Sequence, residues 1–169
     1  FEIKWLYTST QRRKLVQPPT KNYLKMEPHL YHVDINWNKD RKGIMCSPEL
    51  NSITNGASGC IEVATPPEFP KGIPGIWSPE HLFTAAVSSC LMTTFLSIAE
   101  NSKLEFIAFR CESDGKLEQV DGKFIMSEVI LKPTVTIVHE KDRERAERVL
   151  QKSEAACLIS NSIKSKVTL

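Results

Sequence analysis

The sequence has almost no excess of either charge. Its 22 Lys and Arg against 20 Asp and Glu leave a formal +2, too little to direct the chain to nucleic acid or to an acidic membrane surface. It lacks any C-x-x-C pair, and its four histidines (His29, His32, His81 and His139) stand at no ligand spacing from its cysteines. A structural zinc site is therefore not expected, nor any other metal or cofactor. No unbroken apolar run approaches the ~18 residues of a membrane span, and no basic–apolar–small segment opens the chain, so neither membrane association nor a secretory leader is expected.

What is present suits one soluble domain of ordinary size: 169 residues, 41% hydrophobic and 25% charged. The five cysteines, Cys46, Cys60, Cys90, Cys111 and Cys157, are odd in number and widely spaced in a chain long enough to build a core. That argues against a disulfide scaffold and for a reducing, cytoplasmic compartment.

Residues 1–28 mix Arg-Arg-Lys, Pro-Pro and isolated apolar residues with no sustained period, and read as a poorly ordered extension. A domain spans 29–169. Alternation in LYHVDINW sets Tyr31, Val33, Ile35 and Trp37 on one face of a half-buried strand. A turn, NKDRKG, leads to a second strand, GIMCS, and after a polar loop comes a third, GCIEVAT. The segment 66–79, PPEFPKGIPGIWSP, holds too many prolines and glycines for helix or strand. It is a rigid loop whose Phe69, Ile76 and Trp77 are apolar enough to line a pocket, or to pin the loop to a core.

A helix follows cleanly. Ser78 is a good N-cap, Pro79 suits the first helical position, and Glu80 favours the positive end of the dipole. It runs to about Asn101, and from Leu82 to Ala99 it carries no charge. A helix apolar or small nearly all round must be buried nearly all round; packing between a sheet and a second subunit would satisfy this, which predicts a dimer. Beyond it, FIAFRCES and KLEQ read as strands separated by a turn at Asp114–Gly115. VDGK is a second turn, and KFIMSEVILKPTVTIVHE is a long strand interrupted at Pro133. In 140–157, Ala146, Val149, Leu150, Ser153 and Cys157 line up at helical spacing, and SKVTL closes the chain as a strand. Strands in hairpin-like groups beside separate helices make the class α+β.

Cys90 at the middle of an uncharged helix is by itself an ordinary small core residue. Cys157 lies on a second helical stretch, and two such cysteines meet only if the helices pack together, with Cα atoms about 4.4–6.8 Å apart for a disulfide. A reactive thiol also needs its thiolate stabilised, and burial works against that. Arg41 in the hairpin turn, Arg110 and Lys71 are the candidate cations.

The run TPPEFPKGIPGIWSPEHLFTAAVSSC, with Thr65-Pro66, Pro79-Glu80, Leu82, Ala85 and Cys90, followed much later by CLISNSI at Cys157, resembles the OsmC/Ohr family of thiol-dependent hydroperoxide reductases. The hairpin arginine matches Arg41 in KDRKG. The resemblance covers about residues 29–169 and implies antiparallel sheets wrapped around a long central helix in an intertwined homodimer. It implies a peroxidase reducing organic hydroperoxides to alcohols: Cys90 as the attacking thiolate, Cys157 as the resolving thiol, Arg41 stabilising the thiolate and Glu80 holding Arg41. A dithiol reductant, a lipoylated protein or a small thiol, would reopen the Cys90–Cys157 disulfide. Glu80 and Cys90 are ten residues apart on one helix, about 15 Å along its axis, so Glu80 of one subunit would serve Cys90 of the other. The alternative is a non-catalytic member of the fold that binds a small apolar or thiol ligand at the subunit interface. Cys46, Cys60 and Cys111 match no family site and read as structural.

Overall fold

The computed structural model describes residues 2–4, 27–50 and 59–169. The chain divides into two compact units, one of Phe1–Tyr7 with Pro79–Leu169 and the other of Thr8–Ser78. Of the extension expected over residues 1–28, Glu2–Lys4 forms strand β1, and residues 5–26 lie outside the described residues.

The larger unit is a helix-backed sheet. The long helix α1 spans Pro79–Asn101, with the expected bounds. Strands β5 (Phe106–Val120) and β6 (Lys123–Ile137) form a long antiparallel hairpin. It closes on Asp121 and Gly122 with φ of 50° and 77°, the left-handed pair that a two-residue hairpin turn requires and that Asp-Gly supplies cheaply. On its other edge β6 carries β1, antiparallel over Thr134–Thr136, and β7 (Lys166–Thr168), parallel over Glu128–Ile130. Pro133 does not interrupt β6. It is buried opposite Cys111, between the stretches that β1 and β7 occupy, where its missing N–H costs no ladder bond on that edge.

Nor is Asp114–Gly115 a turn. Both residues are paired inside β5, with Ile130 and Val129. The glycine serves a close approach instead: a Cβ there would stand 2.1 Å from Thr84 Oγ1 and 2.8 Å from Met126 Cε. The turn propensity of Asp-Gly yields to packing between β5 and α1.

Two apolar clusters hold this unit. Val87 and Leu91 of α1 pack with Val129, Leu131 and Val167. Phe95 and Ala99 pack with Leu104, Val135, Ile137 and with Ala146, Val149 and Leu150 of α2 (Arg143–Ala156). The stripe read from the sequence of α2 is thus its buried face, at about 25 cal/mol per Å² of apolar surface removed from water. A short helix α3 (Leu158–Ser162) follows α2.

On α1, Val87, Leu91, Phe95 and Ala99 form a single buried stripe, while Met92 and Leu96 are 39% and 44% exposed. The helix is also long and apolar enough to cross a membrane by length and composition, contrary to the sequence reading. The small residues Ala, Ser and Thr, which break up the run of large apolar side chains, still leave it uncharged for 18 residues.

The smaller unit is a three-stranded antiparallel sheet in the order β2 (Asp34–Lys39), β3 (Lys42–Cys46), β4 (Cys60–Ala64). The expected half-buried strand is shorter than LYHVDINW and exposed along its whole length, with Ile35 and Trp37 at 67% and 76%. Its apolar row is real, but nothing in the described chain covers it. Cys46 and Cys60, opposite one another in the β3–β4 register, are joined as a disulfide. The sequence reading took these two as structural cysteines and did not pair them: adjacent antiparallel strands set the two sulfurs face to face, a proximity that wide sequence spacing conceals.

Candidate active site

Cys90 sits midway along α1, partly buried, and Cys157 is wholly buried. Cys157 is not within a helix, as its spacing suggests, but at the break between α2 and α3. Its backbone is extended, with φ −62° and ψ 114°; its N–H closes α2 on the Glu154 carbonyl at 3.2 Å, and its carbonyl accepts from Asn161 N–H at 3.1 Å. The buried face of α2 docks on α1 through Phe95 and Ala99, and this delivers the break to Cys90. The Ile159 N–H donates to Cys90 Sγ at 3.4 Å, which sets buried Cys157, two residues earlier, near enough to Cys90 for each thiol to shift the ionisation of the other.

The surroundings treat the two sulfurs unequally. Burial opposes the Cys90 thiolate, but hydrogen bonds from the Cys157 thiol, the Ile159 N–H, the Thr94 hydroxyl and the Leu158 N–H together outweigh it and hold Cys90 below the ordinary thiol range. Burial pushes Cys157 up, and its bond to Cys90 adds to this, against weaker opposition from the Ser160 hydroxyl and N–H. Of the two, Cys90 is thus the thiol that ionises more readily and Cys157 the one that holds its proton. Neutral donors supply this stabilisation within the single chain, where the sequence pointed to a cation. Thr94 is legible afterwards, one turn beyond Cys90; Leu158 and Ile159 become donors only because α3 begins where it does.

Arg41 lies in the two-residue turn between β2 and β3. It is exposed, and it forms no salt bridge among the described residues. Its carbonyl accepts the Thr65 N–H at 3.1 Å, so the turn is tied to the start of the proline-rich loop. That loop is internally bonded, Phe69 N–H to Pro66 O, Gly72 N–H to Phe69 O, Ile73 N–H to Thr65 O. It admits only glycine at 72, where a Cβ would come 2.0 Å from the Pro66 carbonyl oxygen. Phe69 and Ile76 are half-buried on it and Trp77 is 51% exposed. Glu80, in the first turn of α1, has one carboxylate oxygen, Oε2, buried without a hydrogen-bond partner. Of the other candidate cations, Arg110 pairs with Glu112 at 2.7 Å, and Lys71 sits in the loop with φ 64°. Cys111 is a separate free thiol on β5, 3.5 Å from Ser113 Oγ. No cluster of three or more His, Cys, Asp or Glu suited to a metal occurs among the described residues.

The family model described as OsmC-like protein matches residues 72–169, more than half of the chain and all of the segment bearing Glu80, Cys90 and Cys157. The chain belongs to the OsmC family. The uncharacterised protein YmaD of Bacillus subtilis is 25% identical to it over 147 residues, 85% of this chain and 93% of that one. Among solved structures, an OsmC-like protein of unknown function from Vibrio cholerae superposes with a TM-score of 0.71 at 21% identity, over 83% of this chain and 97% of that one. An organic hydroperoxide resistance protein of Legionella pneumophila gives 0.61 at 19% identity, over 85% and 98%. OhrB of Bacillus subtilis, also an organic hydroperoxide resistance protein, gives 0.59 at 18%, over 83% and 96%. The mixed α+β architecture is thus the OsmC-like fold, as the sequence led one to expect.

Proposed function

We propose that this OsmC-family protein is a thiol-dependent peroxidase that reduces organic hydroperoxides to alcohols. The observation that carries the reading is that the Ile159 N–H lies 3.4 Å from Cys90 Sγ and so sets buried Cys157 beside it, with Cys90 held below its ordinary range and Cys157 above it. The Cys90 thiolate attacks the distal peroxide oxygen; the O–O bond breaks, the alkoxide takes a proton and leaves as the alcohol, and Cys90 becomes a sulfenic acid. The Cys157 sulfur then attacks the Cys90 sulfur, the S–S bond forms, and hydroxide leaves with the Cys157 proton as water. A dithiol, a lipoylated protein or a small thiol, returns both thiols by exchange, which suits a cytoplasmic setting.

Arg41 and Glu80 enter this proposal as partners across a homodimer. The exposed guanidinium and the buried, unpartnered carboxylate oxygen support it, as does the apolar surface of α1 and β2 left open in the single chain. Arg41 stabilises the thiolate and the developing alkoxide; Glu80 orients it. Phe69, Ile76 and Trp77 favour an apolar peroxide over hydrogen peroxide.

The test is to add one equivalent of cumene hydroperoxide, or separately hydrogen peroxide, to the reduced protein, and to locate disulfides by non-reducing peptide mass spectrometry. The expected result is a rapid Cys90–Cys157 bond, faster with the organic peroxide and absent in Cys90→Ser. Intact thiols at that stoichiometry would sink the reading.

A further inference from the structure

The proposed reaction uses neither Cys46 nor Cys60, yet these two are bonded, while Cys90, Cys111 and Cys157 are free. Their position is specific. They are the last residue of β3 and the first of β4, directly opposite in register, and beyond them the Ser47 N–H bonds the Gly59 carbonyl. Both are partly exposed, and neither belongs to either apolar cluster. A disulfide open to solvent is open to an attacking thiolate, unlike one sealed in a core.

We infer that Cys46–Cys60 is a second dithiol/disulfide centre, which exchanges with dithiols independently of Cys90 and Cys157. A reductant thiolate attacks one sulfur, the Cys46–Cys60 bond breaks, and a mixed disulfide forms while the other cysteine leaves as thiolate and takes a proton. The reductant's second thiol then attacks the mixed disulfide, closing its own disulfide and releasing the second cysteine as a thiol. Two electrons and two protons pass from reductant to protein.

The class of reductant follows from the strand register. After the first attack, the freed cysteine is still held opposite its partner by the β3–β4 ladder, at high effective concentration, and expels a monothiol as fast as it arrives. Only a reductant carrying its second thiol in the same molecule completes the exchange.

The effect on the protein also follows from the ladder. At its far end the Thr65 N–H bonds the Arg41 carbonyl, and within it Lys42 pairs with Ala64 and Ile44 with Glu62. The disulfide clamps one end of this ladder and the Thr65–Arg41 bond the other. Reduction releases the clamp and raises the mobility of the strand that begins beside Arg41.

The test uses the full chain under native conditions, exposed to dithiothreitol or to 2-mercaptoethanol at equal thiol concentration, followed by alkylation and peptide mass spectrometry. Reading each cysteine peptide separately keeps this result distinct from any failure at Cys90. With the dithiol, Cys46 and Cys60 are both labelled; with the monothiol, the bond survives. Amide hydrogen exchange over Lys42–Cys46 and Cys60–Ala64 then rises about tenfold on reduction, and a Cys46→Ser/Cys60→Ser variant exchanges at the reduced rate. A pair that resists dithiothreitol until the protein is denatured, one that is labelled without reductant, or one opened equally by both reagents would overturn the inference.

Discussion

Two sulfur atoms of the same element and valence are made unlike by what surrounds them. Cys90 is favoured as thiolate from three directions, a thiol, a hydroxyl one turn along its own helix and two backbone amides, whereas Cys157 is buried and keeps its proton more tightly. A thiol held below its ordinary value is thiolate at lower pH, so Cys90 alkylation should reach half its maximal rate at lower pH than that of a free cysteine, and Cys157 at higher pH. Peptide-resolved iodoacetamide labelling against pH measures both, and coincident midpoints would contradict the assignment. Thr94→Val removes a donor while nearly keeping its shape, and should slow Cys90 labelling at neutral pH by up to about tenfold, the effect of one hydrogen bond to a charged sulfur; Thr94→Ser should restore it. By the same logic Cys157→Ser keeps a donor and preserves Cys90 labelling, whereas Cys157→Ala slows it.

Among the elements, β5 shows packing overruling a turn signal. Asp114–Gly115 looks like a hairpin turn, but the strand runs straight through, because Thr84 of α1 occupies the space a side chain would need. Thr84 is itself held, its hydroxyl donating to the Glu80 carbonyl at 2.9 Å, so it cannot easily give way. Gly115→Ala should therefore cost about 1–3 kcal/mol of stability by overpacking, read in urea unfolding, and Thr84→Ala in the same chain should recover part of it. An unchanged midpoint in Gly115→Ala would mean that α1 and β5 separate more readily than their geometry implies. α2 gives the contrary case: its apolar period alone identifies the face that Val149 and Leu150 bury, because a helix with one apolar stripe has one way to dock.

For the molecule as a whole, the uncharged helix is the feature most in need of a partner. One stripe of α1 is buried, Met92 and Leu96 are substantially exposed, and the apolar residues of β2 stand in solvent. The dimer proposed above predicts a sedimenting mass near twice the 19.1 kDa of the chain, and Leu96→Lys should shift the protein toward monomer by placing a charge on that surface. A wild-type monomer at micromolar concentration would remove the dimer, and with it the pairing of Arg41 with Glu80 between subunits.

From sequence alone came the α+β class, the bounds of α1, the buried stripe of α2, the Asp-Gly turn at 121–122 and the family to which Cys90 and Cys157 belong, but not β1, the unbroken course of β5 or the short α3. The former depend on near neighbours along the chain or on short motifs, and such relations survive in one dimension. The register that joins Cys46 to Cys60, the amides that reach Cys90 from Leu158 and Ile159, and the space that forbids a side chain at Gly115 were decided by tertiary structure. Each brings together residues distant along the chain: 14 apart for the disulfide and 69 for the Ile159–Cys90 bond. Distances between such residues are set by how helices and strands stack, and no local pattern encodes them.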